Sequence, residues 1–190
     1  MKTGLLATSL LLLVGCSSAP QKNLPPPPLS VSKISQWETS GRVGIRTEND
    51  AISGNFNWLG GKDILDLSII GPFGQGATQL RRLDASNIEL KYDDVVVQGT
   101  SATDLLNSHF GWNFPVEQVS YWMRGLASPN TPAKVVKQFN SELPQEIIQD
   151  GWTITYSQFS TIDGLQLPSK LQAANPPFKV NLIITQWTIQ

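Results

Sequence analysis

Residues 52–58 read ISGNFNW, and their alternation decides how the chain folds. Ile52, Gly54, Phe56 and Trp58 fall on one side of an extended backbone, and Ser53, Asn55 and Asn57 on the other, because successive strand side chains point to opposite faces. One apolar and one polar face predict an antiparallel sheet buried on a single side. The same period of two extends along the chain from Trp37. Leu65, Leu67 and Ile69 alternate with Asp66 and Ser68, and Ile88, Leu90 and Tyr92 with Glu89 and Lys91. Trp152, Ile154 and Tyr156 follow, then Phe178, Val180, Leu182 and Ile184. Residues 58–63, WLGGKD, suit a tight hairpin between two of these runs. Short strands joined by Gly, Asn and Asp turns predict a barrel or sandwich of about ten strands.

The middle of the chain breaks the pattern. Ser101-Ala102-Thr103-Asp104 reads as a capping box before residues 105–110, LLNSHF, and Gly111 is placed to end that helix. Pro115 suits the first turn of a second helix, in which Val119, Met123 and Leu126 repeat at helical spacing to near Gly125. Short helices lying over a curved sheet can leave an apolar space between the two layers, as in small ligand-holding barrels. The alternating strands put Phe56, Trp58, Leu67, Ile69, Leu182 and Ile184 on its wall, and the second helix adds Trp122 and Met123.

Composition excludes several classes. The 190 residues carry a net charge of −1, with one Cys and one His. Bulk charge offers nothing to a nucleic-acid backbone. A structural zinc site needs about four Cys or His ligands, so neither that nor an intrachain disulfide is possible. No metal or cofactor is expected. His109 reads as a hydrogen-bonded residue of the first helix, not a general base. Asp93-Asp94 read as turn residues; Arg81-Arg82 suit either contact with lipid headgroups or a solvated strand edge, and the edge reading is preferred. With no nucleophile-elbow pattern either, an enzyme is not expected.

The first sixteen residues, MKTGLLATSLLLLVGC, join a positive start to an apolar run too short to span a bilayer. The ending Leu13-Val14-Gly15-Cys16 resembles a bacterial lipobox. It implies a signal peptide over residues 1–15 and acylation of Cys16 as the first mature residue. Ser17, not Asp, follows the Cys, which by resemblance to enterobacterial sorting points to the outer membrane. Residues 16–36 include four consecutive prolines and read as a semi-rigid tether. Residues 37–190 form the folded domain.

Residues 71–80, GPFGQGATQL, put Phe73 in the middle of a turn between two strands. Connecting loops lie at the surface. From the residues alone Phe73 either folds back onto its own sheet or stands exposed.

Several segments together resemble the LolB family of outer-membrane lipoprotein receptors. They are the lipobox, GRVGIR taken as the beginning of the first strand, SGNFNW, GPFG, LLNSHFGWNFPVEQVSYWMRGL and the closing VNLIITQW. The resemblance implies a mainly β (α+β) fold, an open antiparallel half-barrel of about eleven strands with a lid of short helices over an apolar cavity. The family's lid usually has three helices, and a third could lie within residues 128–140, SPNTPAKVVKQFN. The implied function is to accept lipoproteins from a LolA-like periplasmic carrier, shelter their acyl chains in the cavity, and release them into outer-membrane lipids. No catalysis, cofactor or nucleic acid enters, and a monomer facing the periplasm is expected. The resemblance also selects the exposed reading of Phe73, making Pro72, Phe73 and Gly74 a membrane-insertion loop. The alternative is a structural or assembly lipoprotein that binds a protein partner through the same sheet.

Overall fold

The computed structural model describes residues 30–72 and 76–190. Cys16, the run of prolines, Phe73 and Gly74 lie outside the described residues. A 3-10 turn at Val31–Lys33 leads into β1 (Gln36–Arg46), β2 (Ala51–Gly61), β3 (Leu65–Ile70), β4 (Ala77–Arg82), β5 (Ile88–Tyr92) and β6 (Val95–Gly99). Two helices follow, α1 (Ala102–Phe110) and α2 (Val116–Trp122). The chain closes with β7 (Ala133–Lys137), β8 (Pro144–Gln149), β9 (Trp152–Ile162), β10 (Leu165–Asn175) and β11 (Phe178–Ile189).

All eleven strands form one sheet in the order β6-β5-β4-β3-β2-β1-β11-β10-β9-β8-β7, and every pairing is antiparallel. Two meanders are joined where β11 returns to β1. The edge strands β6 and β7 do not pair, so the sheet stays open. Both helices are inserted in the chain between these two edges, which makes them the connection between the two ends of the sheet. The architecture is mainly β, an open antiparallel sheet with two short helices.

Alternation sets the register. Phe56 and Trp58 are buried on β2, opposite Ile69 and Leu67 of β3. On β11, Val180, Leu182 and Ile184 face the core, but the next buried residue is Trp187. The pairing jumps from Ser40↔Gln186 to Gly41↔Ile184, so Thr185 is the extra residue of a β-bulge that resets the face. Gly41 is required there, because a Cβ would sit 2.0 Å from the carbonyl oxygen of Ile183.

The signals of α1 act as read, and α2 begins one residue later than its proline suggested. The Ser101 hydroxyl accepts from the Asp104 amide at 3.1 Å, and Gly111 takes the left-handed conformation, φ 70°, that ends α1. Pro115 stands at the N-cap of α2.

Four sequence expectations change. GRVGIR forms the second half of β1, because Trp37 and Thr39 already alternate into the core ahead of it. Arg82 closes β4, an interior strand between β3 and β5, so Arg81-Arg82 do not guard an edge. Arg81 pairs with Asp66 at 3.3 Å, and Arg82 lies 4.0 Å from Glu117 of α2. The helical spacing ends early: α2 stops at Trp122, Gly125 turns at φ 77°, and Leu126 lies beyond. Residues 128–140 contain the edge strand β7 and no third helix. Pro132 directly precedes the strand, the β-branched pair Val135-Val136 favours it, and β8 supplies its partner.

Candidate functional site

The residues that face inward from β1 to β4 and β11 meet the lid across an apolar cavity. It is lined by Val43, Ile45, Phe56, Trp58, Leu67, Ile69, Thr78, Leu80, Val180 and Leu182 from the sheet. Leu106 of α1, Val119 of α2, and Trp112 and Phe114 of the connection between them close it. Thr78 is the only hydroxyl among these residues. The cavity volume is about 40 Å³, enough for a few waters, whereas ligand pockets typically measure about 300–1,000 Å³. The space is nearly filled by its own side chains.

Of the eight residues placed on this wall from sequence, Phe56, Trp58, Leu67, Ile69 and Leu182 line it. Trp122, Met123 and Ile184 are buried but do not. Trp122 is on the face of α2 turned to the other half of the sheet. Its indole donates to Gln149 Oε1 at 2.9 Å, and its ring lies 6.1 Å from that of Trp152. Met123 is the C-cap of α2, and Ile184 sits at the β-bulge. Sequence reasoning missed Trp112 and Phe114, which belong to a stretch without periodicity. It also missed Leu80 and Val180, although Val180 lay in an alternating run. Pro72 is exposed.

The lid is held unevenly. At the C-terminal end of α2, Gln149 Oε1 also accepts from the Ser128 amide at 2.9 Å, and Gln149 Nε2 donates to the carbonyls of Ser128 and Thr131. The Tyr156 hydroxyl donates to the Trp122 carbonyl at 2.8 Å, and burial pushes its phenol well above the ordinary tyrosine range. The α1 side has lighter ties. Thr103 Oγ1 donates to the Phe114 carbonyl at 3.1 Å, and the Tyr92 hydroxyl lies 3.0 Å from His109 Nδ1. His109 is therefore a hydrogen-bonded lid residue.

Below α2 a second space opens at the rim of the sheet, with room of about 330 Å³. Trp37, Leu65 and Val116 line its apolar part, and Lys62, Arg82, Glu117 and Arg124 its charged part. Trp58 belongs to the walls of both spaces. Its Nε1 is the one buried side-chain polar atom without a partner among the described residues. Burial lowers the pKa of Arg124. Elsewhere Phe139, in the β7–β8 connection, is 93% exposed. Among the described residues no cluster of three or more His, Cys, Asp or Glu could hold a metal, and no helix is long and apolar enough to cross a membrane.

Comparison with known proteins agrees with this architecture. Solved structures share the fold at low identity. A LolA superfamily protein from Nitrosomonas europaea superposes with a TM-score of 0.51 at 8% identity, covering 83% of this chain and 87% of the other. A DUF1329 family protein from Desulfovibrio piger superposes with a TM-score of 0.50 at 8% identity, covering 84% and 88%. The sequence is 59% identical over 179 residues to the outer-membrane lipoprotein LolB of Marinomonas sp. (strain MWYL1), covering 94% of this chain and 93% of that one. It is 31% identical over 187 residues to LolB of Cellvibrio japonicus, covering 93% and 91%. The family model described as outer membrane lipoprotein LolB matches residues 35–187, and the chain belongs to the LolB family of outer-membrane lipoproteins.

Proposed function

We propose that this protein, anchored through an acylated Cys16, receives lipoproteins from a LolA-like periplasmic carrier and delivers them to the outer membrane. Their acyl chains occupy the apolar cavity between the sheet and the lid. The observation that supports this most is the lining itself: aliphatic and aromatic side chains with a single hydroxyl, in a member of this family. Such a wall gains from removing hydrocarbon from water without selecting among acyl chains. Because the cavity is nearly filled, admitting a chain requires the lid to move outward. The α1 side and the Trp112–Phe114 connection, which carry the lighter ties, are the parts assigned to this movement, since α2 is bound at its end to Gln149 and Tyr156.

The test is transfer from a loaded carrier to the soluble domain. Leu67→Asn places an amide in the wall and should reduce acceptance while the circular dichroism spectrum stays native. Unchanged acceptance by the folded variant would count against the cavity. Delivery is a separate step, assigned to the loop of Pro72, Phe73 and Gly74. Phe73→Glu adds a charge that is costly in hydrocarbon and harmless in water. Acceptance should survive it, release into liposomes should fall sharply, and Phe73→Leu should remain near normal. Equal release by Phe73→Glu would remove the loop from the mechanism. The scaffold reading has less support, because the free edges β6 and β7 are only five residues each and short edges discourage strand addition.

A further inference from the structure

The cleft below α2 combines features that the acyl cavity lacks. Its charged residues are Lys62 in the β2–β3 turn, Arg82 at the end of β4, and Arg124 and Glu117 from the α2 region. Three cations against one carboxylate leave two positive charges in excess, in a chain whose net charge is −1. Arg82 approaches Glu117 only to 4.0 Å. Lys62 has no ion pair or side-chain hydrogen bond among the described residues.

Arg124 is positioned without being neutralised. Its Nε donates to the Ser120 carbonyl at 3.1 Å, and Nη1 makes a long contact of 3.5 Å to the Ile34 carbonyl. Its guanidinium carbon stands 5.1 Å from the centre of the Tyr121 ring. No carboxylate lies within 4.0 Å, and Nη2 has no protein partner among the described residues. A guanidinium fixed in this way presents donors of the geometry that phosphate oxygens accept. Residues 17–29 contain no Asp or Glu, so the chain leading into the cleft supplies no counter-charge.

The other half of the cleft is apolar, with Ile34, Trp37, Trp58 and Leu65. A ligand matching both halves is an amphiphile with an anionic head. The room of about 330 Å³ is within the range of small-molecule sites. Position favours the same ligand. Ser32 and Ser35 line the cleft, so it lies where the tether enters the domain, sixteen residues (32 − 16) after Cys16. With Cys16 as the proposed anchor, that stretch spans at most about 58 Å when fully extended, which leaves the cleft within reach of the lipid surface. The β3–β4 connection is at the opposite ends of β3 and β4, so the two contacts are separate.

We propose that Arg124, Lys62 and Arg82 form a binding site for the phosphate group of a lipid headgroup, with Ile64 and the cleft-facing edges of Ile34 and Leu65 receiving its apolar part. The site goes beyond the acyl-chain reading, and its cleft shares only Trp58 with the acyl cavity. Calorimetric titration of the chain beginning at residue 16, with Cys16→Ser, tests it with three probes: dihexanoyl phosphatidylglycerol as monomer, inorganic phosphate, and dihexanoylglycerol. The phosphatidylglycerol should bind saturably, at least tenfold more tightly than dihexanoylglycerol. Arg124→Gln and Lys62→Gln should each weaken it by tenfold or more. Inorganic phosphate binding as tightly as the lipid would keep the anion site but reassign its source to free phosphate. Equal binding of the phosphate-free lipid, no binding of phosphatidylglycerol, or parental affinity in both variants would overturn the proposal. Arg124 also ties residue 34 to α2, so Arg124→Gln could unfold the domain. Lys62 makes no such contact, and Lys62→Gln decides the matter alone in that event.

Discussion

Gly60 of β2 shows how closely single residues determine this core. It pairs directly with Trp37 of β1, and a Cβ there would lie 2.3 Å from Cζ2 of the Trp37 ring. The indole therefore covers the glycine, and from that position it meets Trp58 at 5.4 Å and Trp187 at 5.6 Å between ring centres. Gly60→Ala must displace Trp37 and should cost about 1–3 kcal/mol, the usual effect of overpacking, measured by urea denaturation. A loss within 0.5 kcal/mol would show that the ring can move freely. Phe139, at 93% exposure, is the contrasting case: Phe139→Ser should change stability by less than about 0.5 kcal/mol. At the start of the chain, mass spectrometry of the membrane-purified protein should find Cys16 as a triacylated N-terminus. An unmodified cysteine there would remove the anchor from the account. At this scale the sequence was most informative where strands alternate, which is how Phe56, Trp58, Leu67 and Leu182 could be placed on the cavity wall. Trp122 and Met123 could not, because spacing alone does not say which half of a sheet a helix face meets.

Between elements, α2 is fastened by polar groups that no periodicity reveals. Gln149 of β8 receives the Trp122 indole and the Ser128 amide and donates to two carbonyls, so the network is satisfied inside the core. Gln149→Ala leaves several buried groups unpaired and should cost at least about 2 kcal/mol. Tyr156 gives a pH signature. Its hydroxyl donates to the Trp122 carbonyl at 2.8 Å, and burial raises its folded-state pKa, while the unfolded residue ionises near pH 10. A raised folded pKa gives stability that is complete below the unfolded value and lost as pH rises past it. Tyr156→Phe should therefore cost about 0.5–1.5 kcal/mol at pH 7. Above about pH 10 the parent should lose up to about 1.4 kcal/mol per pH unit relative to the variant. Parallel curves for the two proteins would show that Tyr156 ionises freely when folded. Element boundaries were legible where the caps are chemical, at Ser101 and Gly111. They were not legible at β7, whose Val135-Val136 pair needed β8 beside it to become a strand, nor at Thr185, since a bulge changes the face without changing the composition of the strand.

The whole molecule is an open sheet whose two edges are bridged by the chain segment that holds the lid, and the proposed function uses the space beneath that lid. Alternation predicted the sheet, and turn residues predicted its connections. Closure of β11 onto β1 is a contact between the ends of the domain, and only the family resemblance anticipated the count of eleven. The cavity lining was partly legible, but its size was not, because side-chain packing between lid and sheet is set by Trp112 and Phe114 in an aperiodic connection. The claim that joins these observations is that acyl chains lie between sheet and lid. Photo-crosslinking tests it most directly: a lipoprotein with a photoactivatable group near the end of an acyl chain is transferred to the soluble domain, irradiated, and the adducts are mapped. The account predicts adducts on cavity residues such as Val43, Leu67, Leu80 and Leu182. Adducts confined to the solvent face of the sheet, at Ser53, Asn55 or Asn57, would contradict it.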